Sequence, residues 1–472
     1  HSHDPQRRPH THTHTHTHTH THTCAGLLRC VRACVFVYVR LTDREKLDPL
    51  AANAYVKVAS HEARKGEFTR CLLLYSGGLD TSVMLKYIQE EYRCEVVALT
   101  VDLGQTVDDL EAIRQKALRL GAVEAVVVDA KDEFADVLLA EAIKANADYQ
   151  GGYALGCPLG RVMICKVAVR VAAEKRCEVV AHGCTGKGND QVRFESYITT
   201  LAPRLRTIAP VREWGMGRAE ELRYAEEHGI PVRQRAESPY SYDENMWANT
   251  GEGGEIEDPR LVPPLDKILQ WCVTPERAPE QAELVEIAFE QGVPVALGGE
   301  RAKLSAIIRR ANALGARHGV GVFHLIEDRV VGLKVRGVYE NPGAAILIAA
   351  HKKLEMLVST REEKEFKALV DQKWAYLTYE GHWYFALAYA LCAFTNCINK
   401  KVSGTVTVKL YKGSVTVVAL DSPYSLFDSN LATFERNAAF NQNAAAGFIE
   451  IYNLSQKTAW NVFNYEKELG KN

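Results

Sequence analysis

The residues best suited to chemistry form the heptad SGGLDTS at positions 76–82. It follows the apolar run 71–75, which is typical of a buried parallel strand, and it precedes apolar residues at helical spacing. Its two glycines let the backbone approach a ligand closely, and the free N–H groups at a helix start favour an anion. Ser76, Thr81 and Ser82 add hydroxyl donors. The heptad therefore predicts a phosphate-binding loop.

The heptad lacks the lysine of a GK[ST] phosphate loop, which points away from transfer of a γ-phosphate. Such a loop suits holding a pyrophosphate while the α-phosphate is attacked. Asp80 has two interpretations, one as a residue that orients Mg²⁺-pyrophosphate or its water shell, the other as a cap of the helix start. A glycine-rich turn that binds nothing is the alternative for the whole heptad, and the strand–loop–helix context favours nucleotide binding.

A second glycine-rich segment, TGKGND at 185–190, carries groups that suit an amino acid. Polar and charged side chains in and beyond it can bind ammonium and carboxylate groups, among them Thr185, Asn189, Asp190, Arg193, Glu327 and Tyr339. The alternative is a surface salt-bridge cluster of Asp190, Arg193 and Glu195. The surrounding glycines favour the ligand-binding interpretation.

Alternating strands and helices are predicted to position these loops. We expect strands at 71–75, 95–101, 125–128 and 178–181, and helices near 83–88, 110–120 and 162–174. This alternation predicts an α/β domain with a parallel sheet covered on both faces. In such sheets ligands bind beyond the carboxyl ends of the strands, where both glycine-rich loops fall.

The pattern changes after about residue 235. Two alternating runs at 405–411 and 414–420, joined by Lys412-Gly413, predict a β-hairpin in an α+β domain with an antiparallel sheet. The apolar run 384–394 is too short to span a membrane and predicts a buried core helix. From residue 455 an amphipathic segment predicts an arm that packs on another subunit.

Composition excludes several classes of protein. An apolar fraction of 47%, a charged fraction of 25% and a net charge of −2 are those of a soluble globular protein without affinity for nucleic acid or anionic membrane. Twelve cysteines without a CxxC pair or metal-type spacing indicate a reducing compartment, so we expect a cytoplasmic location and no protein-bound metal site.

The first 68 residues differ from the rest. Residues 10–23 alternate His and Thr, and 30–40 read CVRACVFVYVR, as translated dinucleotide repeats would. One alternative is a His-rich metal-binding tract. Another is a targeting peptide, but the first residue is His1 and the segment lacks a charged-then-apolar pattern, which argues against it. We expect residues 1–66 to contribute nothing to folding or catalysis.

The heptad is similar to the signature of ATP pyrophosphatases with an N-type adenine nucleotide fold. Three further stretches resemble argininosuccinate synthase: HGCTGKGNDQVRFE at 182–195, SPYSYDEN at 238–245, and EDR at 327–329 with GVYE at 337–340. DLGQ at 102–105 and SPYSL at 422–426 also match, so the resemblance runs from about residue 69 to about residue 455.

The resemblance implies the site residues. The ATP site would comprise Leu74, Tyr75, Ser76, Gly77, Gly78, Leu79, Asp80, Thr81, Ser82, Val101 and Gly183. Aspartate would contact Thr185, Asn189 and Asp190, and catalysis would involve Asp80, Ser76 and Arg161. Citrulline would contact Tyr153, Pro158, Asn189, Arg193, Ser241, Thr250, Glu327 and Tyr339.

The resemblance also implies a C–N bond-forming ligase of arginine biosynthesis. Citrulline would attack the α-phosphate of ATP with Mg²⁺ present, and aspartate would then displace AMP. We expect a homotetramer with small-molecule substrates only. The implied domains are an extension (1–68), an ATP-binding domain (69–234), a synthetase domain (235–454) and a C-terminal arm (455–472).

The chain departs from the family pattern near the citrulline site. Residues 153–162 read YALGCPLGRV where the family usually has YxLGT[SA]LARP, so Cys157 and Pro158 replace hydroxyl-bearing or small residues. Val322 and Val335 depart similarly from arginine and serine. These changes leave open the alternative that the chain is a degraded family member, which binds nucleotide with little or no turnover. A tRNA-thiolating enzyme of the same superfamily would need paired cysteines or a basic surface, and neither is evident in the sequence.

Overall fold

The computed structural model describes residues 57–106, 109–231, 239–432 and 441–463. All of them belong to one compact unit that begins at Lys57. The His-Thr tract, the predicted boundary at 234/235 and Ser238 of the SPYSYDEN stretch lie outside the described residues.

A five-stranded parallel sheet forms the first half and confirms the α/β prediction. Its strands are β1 (Arg70–Leu74), β2 (Glu95–Asp102), β3 (Glu124–Asp129), β4 (Val179–Ala181) and β5 (Arg206–Ile208). Their order in the sheet is β3-β2-β1-β4-β5, so the direction of winding reverses between β1 and β4. Ligand sites in open parallel sheets lie at such a reversal, beyond the carboxyl ends of the strands.

Helices cover both faces of this sheet because its strands alternate their apolar side chains between two cores. Leu72 of β1 faces one core and Leu73 faces the other. The helices of the first half are α1 (Leu79–Tyr87), α2 (Leu110–Arg119), α3 (Lys131–Phe134), α4 (Ala140–Lys144), α5 (Gly156–Glu174), α6 (Asp190–Leu201), α7 (Pro210–Glu213) and α8 (Arg218–Glu227). The side chain of Asp109 caps α2 by accepting a hydrogen bond from Glu111 N at 2.8 Å.

Two antiparallel sheets form the second half, where the sequence predicts an α+β domain with an antiparallel sheet. Their strands are β6 (Tyr240–Asn245), β7 (Ala248–Gly253), β8 (Glu283–Glu290), β9 (Val293–Leu297), β10 (Glu300–Arg301), β11 (Val322–Asp328), β12 (Lys334–Glu340), β13 (Gly404–Tyr411) and β14 (Ser414–Asp421). One sheet has the order β10-β9-β8-β13-β14 and the other β11-β12-β7-β6. The predicted hairpin is β13–β14, whose turn residues Lys412 and Gly413 have φ of +42° and +82°.

The helices of the second half are α9 (Leu265–Ile268), α10 (Leu304–Arg317), α11 (Pro342–Val358), α12 (Arg361–Tyr379), α13 (Ala386–Asn399), α14 (Ser429–Ala432), α15 (Ala444–Tyr452) and α16 (Leu454–Phe463). α13 corrects one prediction, because it is a helix as expected but is not buried. Only Ala388, Thr395 and Asn399 of α13 are buried, while Leu387 and Tyr389 are exposed. It packs on α12, and Leu391 and Cys392 are only partly buried against the core.

The structure also corrects, for residues 57–66, the expectation that residues 1–66 contribute nothing to folding; the preceding residues lie outside the described part of the chain. Residues 57–67 pack on the edge of the parallel sheet: Ala63 is fully buried, and its N–H donates to Thr207 O of β5 at 3.0 Å. The run has no apolar periodicity that would have signalled this, because Ala63 is its only buried apolar residue. In the described part of the chain, no helix combines the length and the apolar character that crossing a bilayer requires.

Candidate active site

The loop after β1 has the geometry of an anion-binding turn. Gly77 adopts φ of +80°, and a Cβ there would lie 3.0 Å from Ile113, so both conformation and space require glycine. The Ser76 and Thr81 hydroxyls lie 3.2 Å apart at the open side of the loop. Ser82 instead is buried and donates to Gly78 O at 2.6 Å, which stabilises the loop from behind.

The loop after β4 lies opposite, on the other side of the reversal in strand order. Gly183 follows β4 after His182, and a Cβ at Gly183 would approach the Met84 side chain to 2.9 Å. Residues 184–189 then lead into α6, whose first residue is Asp190. Two glycine-containing loops thus meet at the carboxyl edge of the sheet, where residues of both line one cavity.

A cavity of about 520 Å³ joins these loops to the β6–β7 and β11–β12 hairpins. Its volume suits a nucleotide or small metabolites more than a macromolecule. The residues that line it are Leu74, Ser76, Thr81, Tyr153, Cys157, Arg161, His182, Gly183, Cys184, Thr185, Gly188, Asn189, Asp190, Arg193, Phe194, Ser241, Tyr242, Asp243, Thr250, Glu252, Glu327 and Arg329.

Two arginines share carboxylate partners on the floor of the cavity. Arg161 donates to Asp190 at 2.9 Å from Nε and also pairs with Asp243 of β6. Arg193 donates from Nη1 to Asp190 at 2.9 Å and from Nε to Tyr379 O at 2.9 Å. Burial opposes ionisation of Asp190, but the two guanidinium groups outweigh it and lower its pKa to about 2.

Arg193 retains one unused donor. Its Nη2 atom is buried and has no hydrogen-bond partner among the described residues, and the side chain is 4% exposed. A buried unpaired donor is costly, so this nitrogen is suited to an anionic group of a ligand. The predicted salt-bridge cluster is present only in part, because Arg193 pairs with Asp190 while Glu195 pairs with His182 and Arg212 instead. The unpaired Nη2 also leaves Arg193 able to donate to a carboxylate, as the ligand-binding interpretation expects.

Glu327 is held by hydroxyl and amide donors from three elements. Its carboxylate accepts from Tyr379 Oη at 2.5 Å, from Asn189 Nδ2 at 3.3 Å and from Tyr339 Oη. Burial, followed by the negative charge of Glu327, raises the pKa of both tyrosines well above its usual range. Glu327 therefore presents a firmly held carboxylate at the wall of the cavity, suited to a positively charged group.

Comparison with known proteins accounts for both halves of this site. Residues 70–231 match the family model described as arginosuccinate synthase N-terminal HUP domain, and residues 240–459 match arginosuccinate synthase C-terminal domain. The chain belongs to the argininosuccinate synthase family. The argininosuccinate synthase of Symbiobacterium thermophilum is 48% identical over 388 residues, covering 82% of this chain and 96% of that protein. That of Pyrococcus furiosus is 47% identical over 395 residues, covering 84% and 95%.

A solved structure of a U34-tRNA thiolase, NcsA from Methanococcus maripaludis with its [4Fe-4S] cluster, is also similar over 38% of this chain and 63% of its own. At a TM-score of 0.26 and 19% identity it contributes nothing to the assignment. The assignment rests instead on the two argininosuccinate synthase family models, which match both halves of the chain.

Most of the site residues implied by the family resemblance line this cavity. Of the nominated ATP residues, Leu74, Ser76, Thr81 and Gly183 line it. All three nominated aspartate residues line it, as do Arg161 and six of the nominated citrulline residues: Tyr153, Asn189, Arg193, Ser241, Thr250 and Glu327.

The remaining nominated residues lie around the cavity without lining it. Gly77, Gly78, Leu79 and Asp80 form the turn and first residues of α1, beside Ser76. Tyr75, Ser82 and Val101 are buried behind that turn, and Tyr339 is buried behind Glu327. Pro158 is buried in the first turn of α5, where its missing N–H would have no intrahelical partner.

Several lining residues were not nominated. Asp243 pairs with Arg161, and Arg329 donates to Glu252 at 2.7 Å, so each belongs to a charge pair that closes the cavity wall. Asp243 and Arg329 stand inside the SPYSYDEN and EDR stretches, which was the signal that could have found them. Cys157 also lines the cavity, with Sγ 3.5 Å from Thr250 Oγ1, and burial raises its pKa well above the ordinary thiol value.

Proposed function

We propose that this protein condenses L-citrulline with L-aspartate at the expense of ATP, yielding argininosuccinate, AMP and pyrophosphate in arginine biosynthesis. The observation that carries the proposal is the meeting of two glycine-rich loops with the Arg161–Asp190–Arg193 cluster and Glu327 in one cavity. The loops suit phosphates, and the charged groups suit two amino acids.

ATP would bind with its phosphates at the loop after β1. The start of α1 and the Ser76 and Thr81 hydroxyls would bind phosphate oxygens, and Gly183 would allow close approach from the opposite loop. Arg161 would offset negative charge as the ureido oxygen of citrulline attacks the α-phosphate and pyrophosphate leaves. Because the attacking atom belongs to the substrate, no side chain has to act as the nucleophile.

Citrulline would lie between Arg193, β7 and Glu327. The unpaired Nη2 of Arg193 would donate to its carboxylate, and Ser241 and Thr250 would contribute hydroxyl hydrogen bonds. Tyr153 is packed against Tyr339 with ring centroids 4.6 Å apart, which gives the pocket a rigid apolar side. Glu327 would attract the ammonium group.

Aspartate would lie against Thr185 and Asn189. Its amine would attack the ureido carbon of the citrullyl-adenylate, the C–O bond to AMP would break, and the lost amine proton would leave with solvent or phosphate. We propose that Asp190 acts mainly by holding the two arginines, because its carboxylate already accepts hydrogen bonds from both.

Mg²⁺ fits the oxygen-rich surroundings of the phosphate loop. Asp80 is exposed in the first turn of α1, and its carboxylate with the adjacent hydroxyls is the hard donor set that Mg²⁺ prefers. When bound, the ion would neutralise charge on the phosphates.

Product analysis with each substrate omitted tests the proposal. We expect AMP and pyrophosphate only when citrulline is present, and argininosuccinate only when aspartate is added as well. Formation of ADP, or nucleotide cleavage indifferent to citrulline, would contradict it. Nucleotide binding without citrulline-dependent turnover would instead support the alternative of a degraded relative.

We also propose a cytoplasmic homotetramer with the domain limits 69–234, 235–454 and 455–472, to the first of which residues 57–67 are added because they pack on its sheet. Apolar side chains of α15 and α16 support assembly because they are exposed, among them Phe448, Ile449, Ile451, Tyr452, Trp460 and Phe463. Measuring the mass of the protein in solution tests the assembly.

A further inference from the structure

Residues 57–67 precede residue 70, where the family match begins, yet they are built into the ATP-binding half. Thr207 N of β5 donates to His61 O at 2.9 Å, and Ala63 N donates to Thr207 O at 3.0 Å. Glu62 thereby forms a parallel bridge with Thr207 at the edge of the sheet. The segment extends the sheet beyond β5 by one short bridge.

A second anchor holds the start of the segment. Lys57 Nζ donates to Tyr92 Oη at 2.7 Å and pairs with Glu213 at 3.0 Å. Tyr92 Oη in turn donates to Glu213 at 2.6 Å, and the Lys57 and Glu213 side chains are 13% and 12% exposed. Ordered, largely buried charge pairs of this kind fix a chain more firmly than exposed pairs do.

At the first anchor, two side chains of the segment also enter a charged cluster. His61 Nε2 lies 2.6 Å from Glu195 Oε2, and Glu62 pairs with Arg212 at 3.2 Å. Arg212 also pairs with Glu195 at 2.7 Å. Burial would raise the pKa of Glu195, but His182, His61 and Arg212 together lower it to about 2, so Glu195 is a constant negative charge.

The cluster is directly connected to the loop after β4. His182 Nε2 lies 3.1 Å from Glu195 Oε1, while His182 Nδ1 accepts from Cys184 N at 3.3 Å. The accepting Nδ1 leaves the ring proton on Nε2, so Glu195 orients the His182 ring at the cavity wall. Arg212 Nη1 donates to Gln191 Oε1 at 3.1 Å, and Gln191 Nε2 donates to Gly188 O at 3.3 Å. Both ends of the glycine-rich loop therefore depend on Glu195 and Arg212.

We infer that His61 and Glu62 are positioning residues for the loop 183–189, acting through Glu195 and Arg212 from a segment outside the matched family region. The inference rests on the proposed function, since that function gives the loop its ATP and aspartate contacts. Without the segment, Glu195 and Arg212 lose one partner each, and the loop loses part of its support on the side away from the cavity.

The test uses the full chain with His61→Ala and the rescue variant His61→Gln, whose amide can still donate to Glu195. Lys65→Ala is the matched control, because Lys65 lies in the same segment and pairs with Glu91 at the surface, where both side chains are about half exposed. We measure kcat and KM for aspartate, ATP and citrulline, the melting temperature, and hydrogen exchange of backbone amides 183–191.

His61→Ala should raise the KM for aspartate and ATP by about three- to ten-fold, because a charge-assisted hydrogen bond behind the loop is lost. The citrulline KM should change less, exchange in 183–191 should become faster, and His61→Gln should restore most of the effect. Identical exchange and KM values in His61→Ala and Lys65→Ala would overturn the inference, as would a fall in melting temperature without either change.

The two proposals fail differently. If the unmodified chain makes no argininosuccinate, the proposed function fails, while faster loop exchange in His61→Ala would still support the positioning role. If the unmodified chain is active and His61→Ala leaves loop exchange unchanged, only the positioning role fails.

Discussion

Replacing Asp190 with asparagine should destabilise the protein and raise the KM values for both amino-acid substrates. Asp190 accepts from Arg161 Nε at 2.9 Å and from Arg193 Nη1 at 2.9 Å, and it is the only carboxylate partner of Arg193 among the described ion pairs. An amide keeps one acceptor but turns its NH₂ group toward a guanidinium. The variant therefore leaves Arg193 without a counter-charge.

Breaking a buried ion pair from one side costs about 3–5 kcal/mol. Here the Asp190 side chain is 25% exposed, and Arg161 keeps Asp243 as a partner. We therefore expect the free energy of unfolding to fall by about 2–3 kcal/mol, measured from urea midpoints at neutral pH. Asp258→Asn is the matched control, because the Arg260 side chain with which Asp258 pairs is 87% exposed and such pairs are worth about 0–1 kcal/mol.

Steady-state kinetics provide the second measurement. In Asp190→Asn the KM values for aspartate and citrulline should both rise by roughly ten-fold, because the cluster orients Arg193 as well as facing aspartate. The KM for ATP should stay close to that of the unmodified protein. If Asp190→Asn unfolds at the same urea concentration as Asp258→Asn and raises only the aspartate KM, Asp190 contacts aspartate directly and the reasoning from its arginine partners is refuted.

Two further substitutions probe the loops. Gly77→Ala should raise the ATP KM by about ten-fold, because Gly77 has φ of +80° and the new Cβ would lie 3.0 Å from Ile113. The control Gly66→Ala, at φ of +82° with open space around it, should destabilise the protein similarly through the backbone but leave the ATP KM unchanged. Equal ATP KM values in the two variants would speak against a phosphate-binding role of the Gly77 loop. Cys157→Ser should lower the citrulline KM by up to about ten-fold, because a hydroxyl is a stronger donor than a thiol at a position 3.5 Å from Thr250. Pro158→Ser should have little effect because Pro158 does not line the cavity, and a larger gain from it than from Cys157→Ser would contradict this placement.

Local signals explain which parts of the structure could be predicted from the sequence. The strand preceding the SGGLDTS heptad, the loop itself and the β13–β14 hairpin are specified by short apolar runs and by glycines with positive φ, so they were found without tertiary information. The exposure of α13 could not be predicted, because an apolar run has the same sequence whether the helix lies in a core or at the surface.

Long-range pairings explain what was missed at the site. Asp243 reaches Arg161 across 82 positions of sequence, and Arg329 reaches Glu252 across 77, so no spacing rule brings them together. Residues 57–67 were missed for a related reason. Their packing depends on one buried alanine and on charge partners such as Glu195 and Arg212, which lie more than a hundred residues away.

The order of strands in the larger antiparallel sheet has a consequence for synthesis on the ribosome. The parallel sheet is complete once Ile208 has emerged, so the ATP-binding half can begin to fold while translation continues. β8, however, pairs with β13, and Leu284 meets its partner Lys409 only after a further 125 residues have been made. During that interval one edge of the β8–β9 hairpin stays open to other strands, which makes the nascent chain most vulnerable to aggregation just before β13 appears.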